Sequence, residues 1–293
     1  MGLLVARREE PSLAFGGQAL IEGVMIRSRK HVVMCVRQPN NEILAHVEEL
    51  NPISQKYKVL RLPLLRGIVA LIETLYLGVK GIYFSANAVL EDEEEFTYKE
   101  FAIAIAMALG LASLFFIIPF LLTTLLNLTG VAFNIVEAVV RLAIFLLYLA
   151  LVAMWSEFKR VLQYHGAEHK AINAHEAGVA LNVINVKKFS RLHPRCGTSF
   201  IFIVMIVSIL LFSIMPDLGF FIRLAYRLVL IPVIAAISYE LLKLSDRHKD
   251  SVIIKFLTIP GLVFQRLTTR EPDDDMMEVA AKAVEEVNRL SSS

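Results

Sequence analysis

Long apolar runs fill the middle of the chain and are separated by short polar breaks. Four of them follow one another, at residues 101–126, 128–155 and 198–215 and, more weakly, up to residue 242. The first contains no charged side chain, and a helix of its length exceeds the ~30 Å hydrocarbon core of a bilayer. The second is interrupted only by Glu137 and Arg141, which are spaced to pair one helical turn apart. The pattern predicts a mainly α-helical, polytopic membrane protein with about four transmembrane helices in residues 99–242.

A different pattern precedes the apolar runs. Residues 31–37 and 42–48 alternate apolar and polar side chains, and the sequence PNN between them is typical of a turn. We therefore predict a β-hairpin within a small cytoplasmic β unit at residues 1–58.

Residues 60–90 show helical periodicity. Arg66, Glu73 and Lys80 recur every seven residues and form one polar stripe on an otherwise apolar helix. We expect this amphipathic helix to lie in the membrane interface or to pack on the helical bundle. An acidic linker completes the segment, which spans residues 59–98.

The polar segments between the runs indicate the orientation in the membrane. The connections within the first and second pairs of runs are short, whereas the other polar segments are long and basic. By the positive-inside rule, both termini and the loop 156–197 lie in the cytoplasm, so we expect a multi-pass protein of the cytoplasmic membrane. The C-terminal segment 243–293 shows helical spacing after an Asp-rich start, which predicts a packing helix.

The composition agrees with a membrane location and limits the partners. The chain is 56% hydrophobic, more than is usual for a soluble protein, so the lipid bilayer is its first expected partner. The net charge is only +2, and no interleaving of basic and aromatic residues indicates nucleic-acid binding. Cys35 and Cys196 form no CxxC pair and are more typical of a reducing compartment than of a disulfide framework.

One group of residues has the spacing of a metal site. His165 and His169 are four residues apart on a predicted helix, so both imidazoles project from one face beside Glu168. The order H-x-x-E-H is that of the inverted zincins. We expect the second span to continue through this segment as one helix that stops at Gly178. The pattern predicts His165 and His169 as metal ligands and Glu168 as a ligand or catalytic base.

A second motif, HPRCGTSF at residues 193–200, places His193 and Cys196 just before the third apolar run. Because the second and third runs are expected to be antiparallel neighbours, these groups could complete a site with the two imidazoles. His193 alone can equally be a capping or surface histidine, and Cys196 alone a small buried apolar residue. Imidazole and thiolate ligands together favour a divalent transition metal, in particular zinc, over magnesium or calcium.

Glu22 lies between glycines in the segment GGQALIEGVMIR at residues 16–27, where the backbone can approach another group closely. It is a candidate general base or a further ligand. The alternative, an exposed carboxylate in a turn, stays open.

Four strings together resemble the bacterial YqhQ-like membrane protein family in order and spacing: GGQALIEGVMIR, YHGAEHKAIN, HPRCGTSF and PGLVFQRLTTREPDDDMMEVA. That family is a domain of unknown function, described at most as predicted metal-dependent membrane enzymes. The resemblance implies a bacterial membrane protein whose motifs belong together, without supplying a reaction. The family motif positions fall here on Glu22, His165, Glu168, His169, His193 and Cys196.

Three functions are open from the sequence. The favoured one is a metal-dependent hydrolase at the cytoplasmic membrane surface that acts on a lipid or a membrane-proximal peptide. The alternative is a non-enzymatic scaffold, in which a structural metal holds two spans together and the cytoplasmic face binds a protein partner. A transporter is the third, with few polar residues inside the spans to support it, and a homo-oligomer could create a pore.

Overall fold

The computed structural model describes residues 15–53, 57–90, 97–194, 196–214, 219–247 and 251–292. Four strands form one antiparallel sheet in sequence order: β1 Gly16–Leu20, β2 Gly23–Arg27, β3 His31–Arg37 and β4 Ile43–Glu49. The predicted hairpin is confirmed, since β3 and β4 pair from His31 opposite Glu49 to Arg37 opposite Ile43. The β1–β2 hairpin is an addition to the prediction.

Nine helices follow in the described parts of the chain: α1 Leu65–Val89, α2 Tyr98–Thr124, α3 Gly130–Val152, α4 Ser156–Glu176, α5 Val183–Val186, α6 Thr198–Ser213, α7 Phe220–Arg247, α8 Val252–Thr268 and α9 Asp274–Ser292. Among the described residues, α1, α3 and the Phe220–Leu244 part of α7 are long and apolar enough to cross a membrane. The Phe200–Ser213 part of α6 is apolar but shorter. The protein is therefore a mainly helical membrane protein, and the count of four spans stays a prediction.

The sheet lies between two layers of helix because its apolar side chains alternate between its faces. One face packs against α4 and α9 through Val24, Ile26, Val33 and Cys35. The other face packs against α1 through Leu20, Met25, Val32, Met34 and Val36. The β unit is thus joined to the helical part on both sides.

Helix α1 connects the sheet to α7. In its N-terminal half, Gly67 lies against the backbone of Ala236 and Arg66 forms an ion pair with Glu240. In its C-terminal half, Gly81 lies against the side chain of Leu20 in β1. Helix α1 has the length and apolarity of a span, and it also contacts the sheet and the C-terminal half of α7. The two placements predicted for it, in the membrane interface or on the bundle, stay predictions.

The prediction of one continuous helix through the second span and the metal motif is wrong. Helix α3 ends at Val152, and α4 begins at Ser156 after a turn at 153–155. Met154 and Trp155 in this turn are exposed, as expected for apolar side chains at a membrane surface. The turn frees α4 to change direction and to pack against the sheet.

The predicted stop at Gly178 and the predicted C-terminal packing helix are both confirmed. Gly178 has φ +70°, and its N–H donates to the carbonyl of His175 at 2.9 Å, which ends α4. In α9, the apolar side chains at helical spacing are buried against α4 and the sheet: Met277, Ala280, Val284 and Val287.

Candidate metal centre

Two imidazoles and one thiol converge beside α4. His165 and His169 project from the same face of this helix, and their ring centroids are 4.4 Å apart. Cys196, just before α6, brings its Sγ to 3.3 Å from Nε2 of His165. One ligand atom from each of the three residues lies within 4.8 Å of the other two.

The backbone around the cluster selects the tautomer of both histidines. Nδ1–H of His165 donates to the carbonyl of Thr268 at 2.7 Å, and Nδ1–H of His169 donates to the carbonyl of Arg191 at 2.7 Å. A carbonyl can only accept, so in the neutral rings the proton lies on Nδ1 and Nε2 keeps its lone pair. This outer hydrogen bond is the usual way in which a metal-binding imidazole is oriented.

Burial keeps these rings in the ligating, neutral state. It lowers the pKa of His165, although the hydrogen bond to Thr268 opposes the shift. It also lowers the pKa of His169 to about 3, with a further contribution from the charge of His165. Both imidazoles are therefore neutral at pH 7, which is the form that binds a metal ion.

The position of α4 depends on a close approach by the segment that follows α8. A Cβ at Gly166 would collide with the carbonyl oxygen of Arg270. The same segment is held by the N–H of Arg270, which donates to the carbonyl of Leu162 at 2.8 Å. A glycine between the two histidine positions thus lets Thr268 reach the ring of His165.

Gln265 on α8 orients the His193–Cys196 turn, and sequence reasoning did not single it out. Its side chain is fully buried, and its amide makes two hydrogen bonds with the backbone of His193, both at 2.8 Å. The N–H of Cys196 in turn donates to the carbonyl of His193 at 3.2 Å. The signal that the sequence offered for Gln265 was a single side-chain amide inside the apolar stretch LVFQRL at residues 262–267.

Further polar side chains hold the loop between α5 and α6. The amide of Asn173 donates to the carbonyls of Ser190 and Leu192, at 2.8 and 3.2 Å. Arg191 donates to the hydroxyl of Thr269 at 2.7 Å. The carbonyl that orients His169 is therefore part of a hydrogen-bonded loop rather than of a regular helix or strand.

His193 is beside the cluster but faces away from it. Its ring centroid is 5.7 Å from that of His169, and its Nε2 lies 3.5 Å from Oε1 of Glu176. Burial lowers the pKa of His193 to about 4. Of the four predicted ligands, the described structure brings together His165, His169 and Cys196.

Glu168 turns toward the sheet. Its Oε1 lies where a side chain on Gly17 would have to be, so the glycine of β1 makes room for the carboxyl group. Its Oε2 is buried and has no hydrogen-bond partner among the described residues, and burial raises the pKa of this carboxyl to about 8. Glu168 is therefore a buried acid directly beside His169, although its oxygens are not among the converging atoms.

Glu22 is held by an ion pair rather than by the cluster. It lies in the β1–β2 turn with φ +50°, and the Nε of Arg160 donates to its carboxylate at 2.6 Å. The hydroxyl of Tyr164, one residue before His165, donates to the same carboxylate at 3.3 Å. The described contacts thus connect Glu22 to the start of α4 and position this helix on the sheet.

The donor set fits a zinc-type ion. For Zn–N distances of ~2.0–2.1 Å and a Zn–S distance of ~2.3 Å, tetrahedral geometry separates two ligand atoms by about 3.5 Å. The 3.3 Å between Nε2 of His165 and Sγ of Cys196 is close to that value. Three protein ligands would leave one tetrahedral position, as in catalytic rather than structural zinc sites.

Comparisons with known proteins identify a family and a relative of this chain. Residues 62–290 match the family described as "Protein of unknown function (DUF1385)". The chain is 35% identical to the "Uncharacterized protein YqhQ" of Bacillus subtilis (strain 168), over 95% of this chain and 93% of that protein. No solved structure matches the chain. Neither description names a metal or a reaction, so these remain predictions.

Proposed function

The chain belongs to the family of unknown function DUF1385, and from the geometry of its buried cluster we propose that it is a zinc-dependent hydrolase acting at a membrane surface. The single observation that carries the proposal is the convergence of three ligand atoms within 4.8 Å. Both histidines direct Nε2 to this point because their Nδ1–H groups are bound elsewhere. This is the arrangement expected of a site built for a cation.

In this proposal the residues of the chain divide the work. His165, His169 and Cys196 would hold the ion, which when bound supplies an activated water and polarises a substrate oxygen. The carbonyls of Thr268 and Arg191 keep the two rings oriented. Glu168 is our candidate for the proton-transferring group, because its buried Oε2 has no partner in the part of the chain that the structure describes.

The substrate we propose is a lipid or a membrane-proximal peptide on the cytoplasmic side. Cys196 stands two residues before the apolar helix α6, and the exposed Trp155 stands immediately before α4. One of the three ligands, Cys196, is therefore close to the point at which an apolar helix begins, and α4 carries the other two away from the end of α3. A substrate in the adjacent membrane surface could reach the ligand set without leaving the bilayer.

Metal content tests the site itself. We expect about one zinc per chain in the detergent-purified wild type by elemental analysis, and none in a folded His165→Ala/His169→Ala variant. His175→Ala is the matched control, because His175 is on the same helix but stacks on Phe15. A zinc-free, folded wild type, or equal loss in the control, would contradict the proposal.

Glu168→Gln separates the reaction from the site. The variant should retain zinc and lose turnover by about 100-fold or more in a screen of phospholipids and membrane-anchored peptides, as expected for a general acid or base. Retained turnover would remove Glu168 from the mechanism. If the wild type turned over no probe at all while keeping zinc, the scaffold alternative would be favoured.

That alternative, a structural metal in a membrane scaffold, has its own supporting observation. His169 and Cys196 are 1% and 8% exposed, which restricts the access of water to the ligands. X-ray absorption of the zinc-loaded protein distinguishes the two functions. Three protein ligands plus a light oxygen scatterer support the hydrolase, whereas four protein ligands support the scaffold.

A further inference from the structure

A cavity lies on the face of the sheet that is opposite to the metal centre. Its volume is about 740 Å³, within the ~300–1,000 Å³ typical of small-molecule sites. The β3–β4 hairpin forms one wall, the C-terminal half of α1 another, and Tyr98 and Phe101 of α2 the third. The sheet separates this cavity from α4, so it is independent of the ligands described above.

Aromatic rings dominate the wall formed by the helices. Tyr83 stacks on Tyr98 with centroids 4.9 Å apart and contacts the edge of Phe101 at 5.0 Å. Tyr76 and Tyr98 are 65% and 78% exposed. Tyr98 is the first residue of the apolar helix α2, and an exposed tyrosine at such a position is typical of the bilayer interface. The mouth of the cavity is therefore expected where α2 enters the membrane.

Among the described residues that line the cavity, the charged side chains are one cation and one anion, Lys80 and Glu48. Nζ of Lys80 on α1 lies 2.6 Å from Oε1 of Glu48 on β4, and Nε2 of His46 lies 2.8 Å from the same oxygen. Burial raises the pKa of Glu48, but the hydrogen bonds from Lys80 and His46 outweigh it and the pKa is lowered. Glu48 is thus ionised, and the lining presents both charges beside ring faces.

We propose that this cavity binds the head group of a zwitterionic phospholipid of the phosphoethanolamine type. The phosphate would accept from Lys80, while the primary ammonium would donate to Glu48 and lie against the aromatic rings. A head group with a net negative charge has no ammonium group that could pair with Glu48. A trimethylammonium group could contact the rings but could not donate to Glu48.

The experiment is a lipid titration of the full-length, detergent-purified protein followed by native mass spectrometry. The probes are dioleoyl phosphatidylethanolamine, phosphatidylcholine and phosphatidylglycerol, and soluble glycerophosphoethanolamine as a competitor. The variants are Lys80→Met, Glu48→Gln and Tyr76→Leu. Lys99→Met is the control, because Lys99 is an exposed cation at the start of α2 that does not line the cavity.

We expect phosphatidylethanolamine to bind about tenfold more tightly than phosphatidylglycerol, as for one charge-assisted hydrogen bond. Lys80→Met and Glu48→Gln should each reduce this preference below about twofold, while Lys99→Met keeps it. Tyr76→Leu removes an exposed aromatic ring and no buried contact of the core. It should weaken the binding of phosphatidylethanolamine about threefold. This variant keeps the test decisive if either charge variant fails to fold.

Equal affinity for the three lipids would overturn the proposal, as would a preference that survives in folded Lys80→Met and Glu48→Gln. If glycerophosphoethanolamine bound as tightly as the lipid, the cavity would be a site for a soluble zwitterion, and the lipid assignment would be overturned. The His165→Ala/His169→Ala variant should bind phosphatidylethanolamine as the wild type does. Lipid binding and zinc content can therefore fail independently.

Discussion

Two groups of buried polar side chains in the described part of the chain are built in opposite ways. At the metal centre, His165, His169 and Cys196 turn their ligand atoms toward one another without any charge of their own. Between α3 and α7, Glu137 forms ion pairs with both Arg141 and Arg227. In our proposal the first group takes up a cation from outside the chain, whereas in the second the chain supplies both signs of charge.

The surroundings of the two groups match this difference. Arg227 lies over the rings of Phe120 and Phe212, 4.8 and 4.9 Å from their centroids, and donates to Oδ1 of Asn134 at 3.2 Å. Those contacts enclose a permanent charge inside apolar helices. At the metal centre the rings are oriented at Nδ1 by backbone carbonyls, and Nε2 of His165 is directed at Sγ of Cys196. For these two buried groups, neutralisation of charge within the chain indicates a structural role, and the convergence of uncharged ligand atoms indicates a binding role.

Breaking the charge cluster should have the largest effect on stability. Glu137→Ala leaves the buried Arg227 without its carboxylate, and we expect a loss of about 3–5 kcal/mol in the free energy of unfolding. Zinc content of the remaining folded protein should be unchanged. Chemical denaturation in detergent measures the first and elemental analysis the second. Lys187→Met is the control, because Lys187 forms an exposed ion pair with Asp274, and it should lower the free energy of unfolding by no more than about 0.5 kcal/mol. An equally small loss for Glu137→Ala would show that the charge cluster does not stabilise the fold.

Gly166→Ala should come next, because its Cβ would meet the backbone of Arg270 rather than a flexible side chain. We expect a loss of about 1–3 kcal/mol as the segment after α8 moves away. Gly110→Ala is the control: apart from its chain neighbours and the backbone of its own helix, no heavy atom of the described residues lies within 4 Å of the added Cβ. Stability should therefore be unchanged or rise by up to about 1 kcal/mol. Equal effects at both positions would show that the close approach is unimportant.

Gln265→Leu should act on the metal centre more than on the fold. Removal of both hydrogen bonds to His193 frees the turn that carries Cys196, so zinc affinity should fall about 10–100-fold, or about 1.4–2.7 kcal/mol. Competition with a zinc chelator measures the change. The exposed amide of Gln163 on α4 provides the control Gln163→Leu; zinc affinity that is the same in both variants would contradict the orienting role.

Glu22→Gln should have the smallest effect on stability. Glu22 and Arg160 are 27% and 47% exposed in their side chains, so their ion pair should contribute at most about 1 kcal/mol and less at high salt. The thermal midpoint at 50 mM and 500 mM NaCl measures this contribution in the wild type and the variant. A zinc loss as large as that of His169→Ala would place Glu22 at the metal centre instead of at the sheet.

Much of the fold was predictable because its signals are local. The alternation in β3 and β4, the helical spacing in α9 and the stop at Gly178 each depend on neighbouring residues, and all three are confirmed. The break at 153–155 was missed because it follows an uninterrupted apolar pattern. An apolar pattern indicates burial in lipid or in protein, but it does not indicate where one helix ends and the next begins.

Composition and spacing along the chain were enough to predict the membrane class and the pair of imidazoles, because composition and i, i+4 spacing within one helix do not depend on the rest of the chain. Which distant groups meet follows from the packing of the elements instead. Cys196 joins the two imidazoles, while His193 faces Glu176 and Glu22 faces Arg160. The carboxyl of Glu168 lies against Gly17 for the same reason. These contacts join residues far apart in sequence, so they depend on how α4, α8 and the sheet pack rather than on any local pattern.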